Sequence, residues 1–388
     1  MIKVLLAGID TLEVGYGVSE FRFEEAEIEE LVSAKLNAGD RSQSSCPTKK
    51  IITFRGRQFV IKPFGTARHP FILENSDITL KLNPKARAGR AFPEIHVIFR
   101  SECLWRNGWE FAADNVGSWI RTWARVDHDK VARADLCADI AEPIPELTRT
   151  FEEIMCRAKN REEFVDKYIE MTKHVSGHLC TGYTFGKGGS ISINIYNKTH
   201  EVLKSHKEWF YNLWRQSSPE IVGQGNNSWP EEVPVTRVEA RLRRKFLKSM
   251  QVDTMTDLKN CQADLWRYIT GDWMSIREPG KDRNRSRWAI SKFWSIVRSA
   301  LGIIGRLSGV TRIKQIKPRL LQLRTLGRGV LVSIGAYAVA ALSSSGGNMP
   351  SGVYGRRFVR RELVRMLKSD YFDQDIEKRA VLFGARMF

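Results

Sequence analysis

The six cysteines of this 388-residue chain (Cys46, Cys103, Cys137, Cys156, Cys180 and Cys261) include no CxxC pair, so neither a zinc site nor a disulfide framework is indicated. The longest apolar run, 329–342, is too short to cross a bilayer and reads as a buried helix. No secretory leader pattern is present, and the expected compartment is a reducing cytoplasm with no membrane partner. No His-hydrophobe-His pair of the metal-binding kind occurs. His174 and His178 lie four apart, but the VSG between them is poor helix, and they read as two surface histidines. GKGG at 186–189 lacks the spacing and the Ser/Thr after Lys of a nucleotide loop, and reads as a tight turn or hairpin.

What the chain does have is an uneven charge. Its formal net charge is +18, yet residues 241–388 hold 30 Lys and Arg against 11 Asp and Glu, and residues 1–240 are close to neutral. A neutral part joined to a cationic block is the footprint of a nucleic-acid-binding segment attached to something else. A hydrophobic share of 42% with 27% charged residues excludes bulk disorder. The length calls for two or three domains.

Three short stretches place unusual polar sets on one face of a β-strand. In ARADLCADI at 132–140, alternation puts Ala134, Leu136, Ala138 and Ile140 one way and Arg133, Asp135, Cys137 and Asp139 the other. In SISINIYNK at 190–198, Ser192, Asn194, Tyr196 and Lys198 share a face opposite Ile191, Ile193 and Ile195. In TRVEARL at 236–242, Arg237, Glu239 and Arg241 oppose Val238, Ala240 and Leu242. A half-buried sheet always has a solvent face. Asp is depleted in strands, however, so two within one short strand point to function over fold.

The runs 4–18, 51–64 and 94–100 read as strands, and 23–37 and 115–126 as helices. The segments 38–50 and 83–92 read as loops. A helix is expected from Pro145 to Ala158, with a continuation through 162–175, then one helix over 200–216, and a Pro, Gly, Asn and Ser-rich loop at 217–234. From Leu247 the text is helical: 253–269, 285–307 with a stripe of Trp288, Phe293, Ile296, Val297, Ala300, Leu301 and Ile304, then 318–342 and 354–368, with a joint at 343–352. The expected class is α+β with a mainly antiparallel sheet, the first part standing as a weaker version of the second. The expected division is an N-terminal α+β half at 1–134, a site-bearing α+β half at 135–275 and a basic helical DNA-binding region at 276–388.

The chemistry centres on Tyr196. A phenol ionises near pH 10 and is a poor nucleophile unless cations stabilise the phenolate. Lys198 on the same strand face, Arg237 and a divalent cation would supply that neutralisation. Asp135, Asp139 and Glu239 offer hard oxygen ligands suited to Mg²⁺ or Mn²⁺. Glu201 reads either as a further ligand, as the base that takes the phenol proton, or as an ordinary first-turn helix acid.

The blocks VARADLCADI, GYTFGKGGSISINIYNKTHE and TRVEARLRRKF, with the opening GIDTLEVGY and the later LWRYITGDW, resemble the replication initiation factor family of rolling-circle replicons, which includes plasmid and filamentous-phage initiators and relaxases of integrative elements. The resemblance covers about residues 5–275. It implies a nicking and closing enzyme acting on single-stranded or cruciform origin DNA. Tyr196 would attack the scissile phosphate to form a 5′-phosphotyrosine, and Asp135 and Glu239 match the metal-binding positions. A homodimer and host helicase and polymerase are the further partners it suggests. Tyr183, placed on the turn before the strand, reads as packing. A regulator that kept the fold and lost the chemistry is the competing reading, as is an RNA-binding sheet, although only Tyr196 gives that face an aromatic.

Overall fold

Leu12, Val14, Tyr16 and Val18 alternate with Glu13, Gly15 and Gly17, and so long a strand pattern needs partners on both sides. The protein's structure, a computed structural model, describes residues 3–39, 50–84, 92–147, 152–157, 171–176, 179–222, 229–230 and 232–312, with 361, 364 and 365. The described strands are β1 (Val4–Phe21), β2 (Ile51–Phe54), β3 (Arg57–Ile61), β4 (Phe71–Glu74), β5 (Ile78–Leu82), β6 (Ile95–Phe99), β7 (Ala124–Ile140), β8 (Ile154–Cys156), β9 (Met171–Ser176), β10 (Leu179–Phe185), β11 (Ile191–Asn197), β12 (Thr236–Arg243) and β13 (Met274–Ile276). Eleven of them form one antiparallel sheet in the order β2-β3-β4-β5-β6-β1-β7-β12-β11-β10-β9. The expected α+β class with a mainly antiparallel sheet is what the chain adopts.

β1 and β7 lie at the centre and pair along almost their whole lengths, from Val4 opposite Ile140 to Phe21 opposite Ala124. One face of the sheet is apolar throughout. Leu12, Val14, Val97, Phe99, Leu136, Ala138, Ile193, Ile195, Val238 and Ala240 join a single core with Ile120 and Trp123 of the helix Trp109–Trp123, Leu258 and Trp266 of Met255–Arg267, and Trp294 and Val297 of Lys292–Ser299. The opposite face carries the polar residues. A smaller cluster of Leu5, Val202, Phe210, Trp214, Val222, Trp229 and Val235 forms a second apolar group with Trp105 and Leu6 packed against it.

Several local expectations are corrected. The run 51–64 is not one strand but a hairpin that turns at Arg55 and Gly56, whose φ angles of 48° and 77° are the left-handed pair of a tight two-residue turn. The helix expected over 145–158 is replaced at its end by β8, which pairs with β13, and the expected continuation ends in β9. The 200–216 helix is broken at His206, which adopts φ 54° and closes the helix Lys198–Ser205 before Trp209–Ser217 begins. In both cases sheet pairing or packing overrides a local propensity worth only tenths of a kcal/mol per residue. The 285–307 helix is a 3₁₀ turn at Arg285–Arg287, then Lys292–Ser299 capped by Ser291, then Leu301–Ile304. Its buried line is Trp294, Val297, Ala300 and Ile304, so Trp294 replaces Trp288 and Phe293 in the core.

Thr254 and Asp257 form a capping box that starts the helix Met255–Arg267. It runs on into a π-helical turn, Tyr268–Trp273, where the carbonyl of Thr270 accepts from Trp294 Nε1 at 2.9 Å. Met1–Ile313 is one compact unit. The expected boundary at 134/135 falls inside β7, and that at 275/276 inside β13. Lys314–Phe388 is a second unit, of which only Arg361, Val364 and Arg365 are described, each helical. The helices expected at 318–342 and 354–368 and the joint at 343–352 otherwise lie outside the described residues, as do most of the loops at 38–50 and 83–92. No described helix is long and apolar enough to cross a membrane.

Candidate active site

β7, β12 and β11 are successive strands, so the polar sets of the three stretches stand side by side. Asp139 is opposite Arg237, which is opposite Tyr196. One step along, Cys137 is opposite Glu239, which is opposite Asn194. Two steps along, Asp135 is opposite Arg241, which is opposite Ser192. The residues read as inward-facing on these strands are fully or almost fully buried in the core.

The Tyr196 ring is half-buried, and its phenol donates to Glu239 Oε2 at 3.0 Å. Burial, together with the negative charge of Glu239, pushes the phenol well above its ordinary range, and Arg237 pulls it back. Burial, Asp10 and Asp135 likewise push the Glu239 carboxyl up, against the opposing pull of Arg237 and the phenol's hydrogen bond. The hydrogen bond leaves the Glu239 carboxylate within reach of the phenol's proton.

Arg237 lies behind this pair and is wholly enclosed. Its Nε and Nη2 donate to Asp139 Oδ1 and Oδ2 at 2.5 and 2.8 Å, and Nη1 donates to Asp10 Oδ1 at 2.7 Å. Trp214 Nε1 completes Asp139 at 2.9 Å, while Ser101 Oγ and Trp105 Nε1 complete Asp10 at 2.7 and 2.9 Å. Despite burial, Arg237 and Lys198 hold the Asp10 carboxyl far below the usual range. Each of the three Arg237 nitrogens donates to Asp139 or Asp10, and Arg237 acts on Tyr196 through its field and by fixing its neighbours.

Lys198 does not lie on the strand face with Tyr196. β11 ends at Asn197, which caps the helix by accepting from His200 N at 2.9 Å, and Lys198 is that helix's first residue. Its ammonium is buried, donates to Glu201 Oε2 at 2.5 Å and sits 4.1 Å from the Phe210 ring centre and 5.9 Å from that of Tyr196. Burial and Arg237 push the Lys198 ammonium down. Glu201 also accepts from Ser205 and Lys207, and the phenol's hydrogen bond goes to Glu239 instead. Tyr183 is in β10, not on a turn, and is buried opposite Ile195 on the core side.

The three carboxylates expected to hold Mg²⁺ or Mn²⁺ do not converge. Asp135 and Asp139 are four residues apart on one strand, about 13 Å. Asp139 gives both oxygens to Arg237, and Asp135 gives both to Arg133 and accepts from Arg241 Nε at 3.4 Å. Among the described residues no three His, Cys, Asp or Glu side chains form a metal-holding group. The donor set therefore does not fit an ion held by Asp135, Asp139 and Glu239 together.

Asp10 is the residue that reading the sequence missed. It stands at a bulge in β1, where pairing with β7 shifts between Ile9 and Thr11. An acid following directly on the apolar run VLLAGI at 4–9 was the available signal. His174, read as a surface histidine, is on the site face of β9, opposite Gly182. His178 lies outside the described residues.

No protein-family model matches the chain, and no curated protein matches it. Among solved structures, the chain is similar to the rolling circle replication initiator protein from Geobacillus stearothermophilus, at 13% identity over 80% of this chain and 100% of that one, with a TM-score of 0.43.

Proposed function

We propose that the protein nicks and rejoins one strand of DNA at a replication origin through a phosphotyrosine on Tyr196. One observation carries the reading: the phenol of half-buried Tyr196 donates to the buried carboxylate of Glu239, with the enclosed Arg237 on the same strand as Glu239. Glu239 takes the phenol's proton as Tyr196 attacks phosphorus, and the departing oxygen is the 3′-oxygen of the strand. Rejoining runs the same steps backwards. The Asp10–Arg237–Asp139 cluster keeps the phenol and Glu239 in register, and its positive member offsets charge on the phenolate.

Mg²⁺ or Mn²⁺ would enter with the DNA phosphate and offset its charge. Among the described residues no second tyrosine shares the face with Tyr196, so a second copy of the chain would supply the nucleophile for termination.

Duplex away from the nick would be held by the loop 277–290. Glu278 N donates to Ala289 O at 2.9 Å, Arg277 Nη1 to Trp288 O at 2.6 Å and Trp288 Nε1 to Asp282 O at 2.7 Å. The frame so built leaves Lys281, Arg283 and Arg287 exposed. Such cations bind phosphate with release of counterions.

The test is to incubate the protein with supercoiled DNA carrying its element's origin, with and without Mg²⁺ or Mn²⁺, beside Tyr196→Phe. Relaxed circles and a covalent adduct that vanish in the variant are expected. Binding without cleavage by the wild type would instead make the chain a DNA-binding regulator.

A further inference from the structure

We propose that His174 is the acid that protonates the leaving 3′-oxygen, an inference that rests on the reading of Tyr196 as nucleophile. Gly182 in β10 is opposite Tyr196 in β11 on one side and opposite His174 in β9 on the other. Tyr196 and His174 thus stand on one face of the sheet, about 10 Å apart across two strand spacings, with the backbone of Gly182 directly between their positions and the side chains of Thr184 and Asn194 in the next row. A side chain could not be accommodated there. A Cβ on Gly182 would lie 2.8 Å from Tyr196 Cβ and 2.7 Å from the Ile195 carbonyl oxygen.

The phenol donates to Glu239 on β12, and its oxygen keeps lone pairs with which to attack. A phosphate resting over Gly182 would have the nucleophile on one flank and His174 on the other. In-line displacement at phosphorus needs that disposition, with attacking and leaving oxygens on opposite sides. Base, nucleophile, bare floor and acid then occupy four successive strands: Glu239 on β12, Tyr196 on β11, Gly182 on β10 and His174 on β9.

The ring of His174 is held for this. Its Nε2 is 2.8 Å from Thr184 Oγ1, and Thr184 Oγ1 donates to Asn194 Oδ1 at 2.8 Å. A hydroxyl has one hydrogen, so with that hydrogen on Asn194 the threonine accepts from Nε2–H. Nδ1 is left as the atom that carries and gives up a proton. His174 is exposed on the edge strand, open to a DNA strand.

The step balances without a further reactant. The Tyr196 Oη–P bond forms as the P–O3′ bond breaks, Glu239 gains the phenolic proton, and the His174 imidazolium passes its Nδ1 proton to O3′ and becomes neutral. Both protons return on rejoining.

The experiment compares single-turnover cleavage of two origin oligonucleotides by the full chain. One has the natural linkage, and the other has sulfur in place of the bridging 3′-oxygen, whose thiolate leaves without a proton. His174→Ala should cleave the natural linkage slower by about 10² or more and the sulfur linkage within a few-fold of wild type. His174→Gln, which keeps a donor for Thr184 but has no proton to deliver, should behave alike. Tyr196→Phe should form no adduct with either. A His174→Ala enzyme that is unimpaired on the natural linkage, or equally slow on both, overturns the acid while leaving Tyr196 in place. No adduct from wild type on either substrate overturns the nucleophile, and the acid with it.

Discussion

Arg237 and Asp10 are 227 residues apart in the chain and 2.7 Å apart in the fold. That contact joins the first strand of the sheet to the strand bearing Glu239, and it sets the order of consequences expected when the site is altered.

Arg237→Ala should destabilise the fold by about 3–5 kcal/mol, because Asp10 and Asp139 would be left as uncompensated buried charges. Arg237→Lys should recover little of this, since a single ammonium cannot repeat the two-pronged contact with Asp139. Urea unfolding of the three proteins measures it; a lysine variant as stable as wild type would count against a geometric role for the guanidinium.

Glu239→Gln should slow adduct formation by about 10²–10⁴ while leaving DNA affinity nearly unchanged, as expected for a group that accepts a proton in the transition state. Glu201→Gln should change the rate far less, because Glu201 is turned to Lys198, Ser205 and Lys207. Quenched-flow assays of adduct formation separate the two, and equal losses would reopen the choice of base.

Asp264 offers a pH test away from the site. It accepts from Ser308 N and Oγ, each at 2.7 Å, and from Gly309 N at 3.2 Å. Although burial raises it, these bonds hold its carboxyl below the ordinary value. A depressed carboxylate stabilises the fold above its unfolded pKa, and that contribution is lost as pH falls through the folded value. Asp264→Asn should therefore cost about 1–3 kcal/mol at pH 7, with the gap to wild type closing below about pH 4. Chemical denaturation at the two pH values reads the gap directly.

Replacing Lys281, Arg283 and Arg287 together by alanine should lower the slope of log affinity against log salt for duplex DNA by about 2 to 3. Fluorescence anisotropy across a salt series gives the slope. An unchanged slope would move the duplex contact elsewhere.

Much of the site was legible because alternation is strict. The period of two that puts Leu136 and Ala138 in the core necessarily puts Asp135, Cys137 and Asp139 on the other face, whatever the neighbours are. What alternation cannot give is who stands next to whom. Asp10 reaches Arg237 through a β-bulge and a pairing between distant strands. Lys198 left the strand because Asn197 caps a helix one residue earlier than the polar pattern suggested. β8 and β9 read as helix because three- and six-residue strands carry too little pattern to outweigh it, and with β9 misread, His174 had no face to belong to.

The Asp10–Arg237 contact also bears on how the protein is made. During synthesis Asp10 leaves the ribosome long before β12, so the acid must wait, hydrated or partnered by Ser101 and Trp105 alone, until Arg237 arrives. The cluster that orders Tyr196 and Glu239 closes only then. A nascent or prematurely terminated chain lacking β12 therefore holds Tyr196 without Glu239, the partner of its phenol.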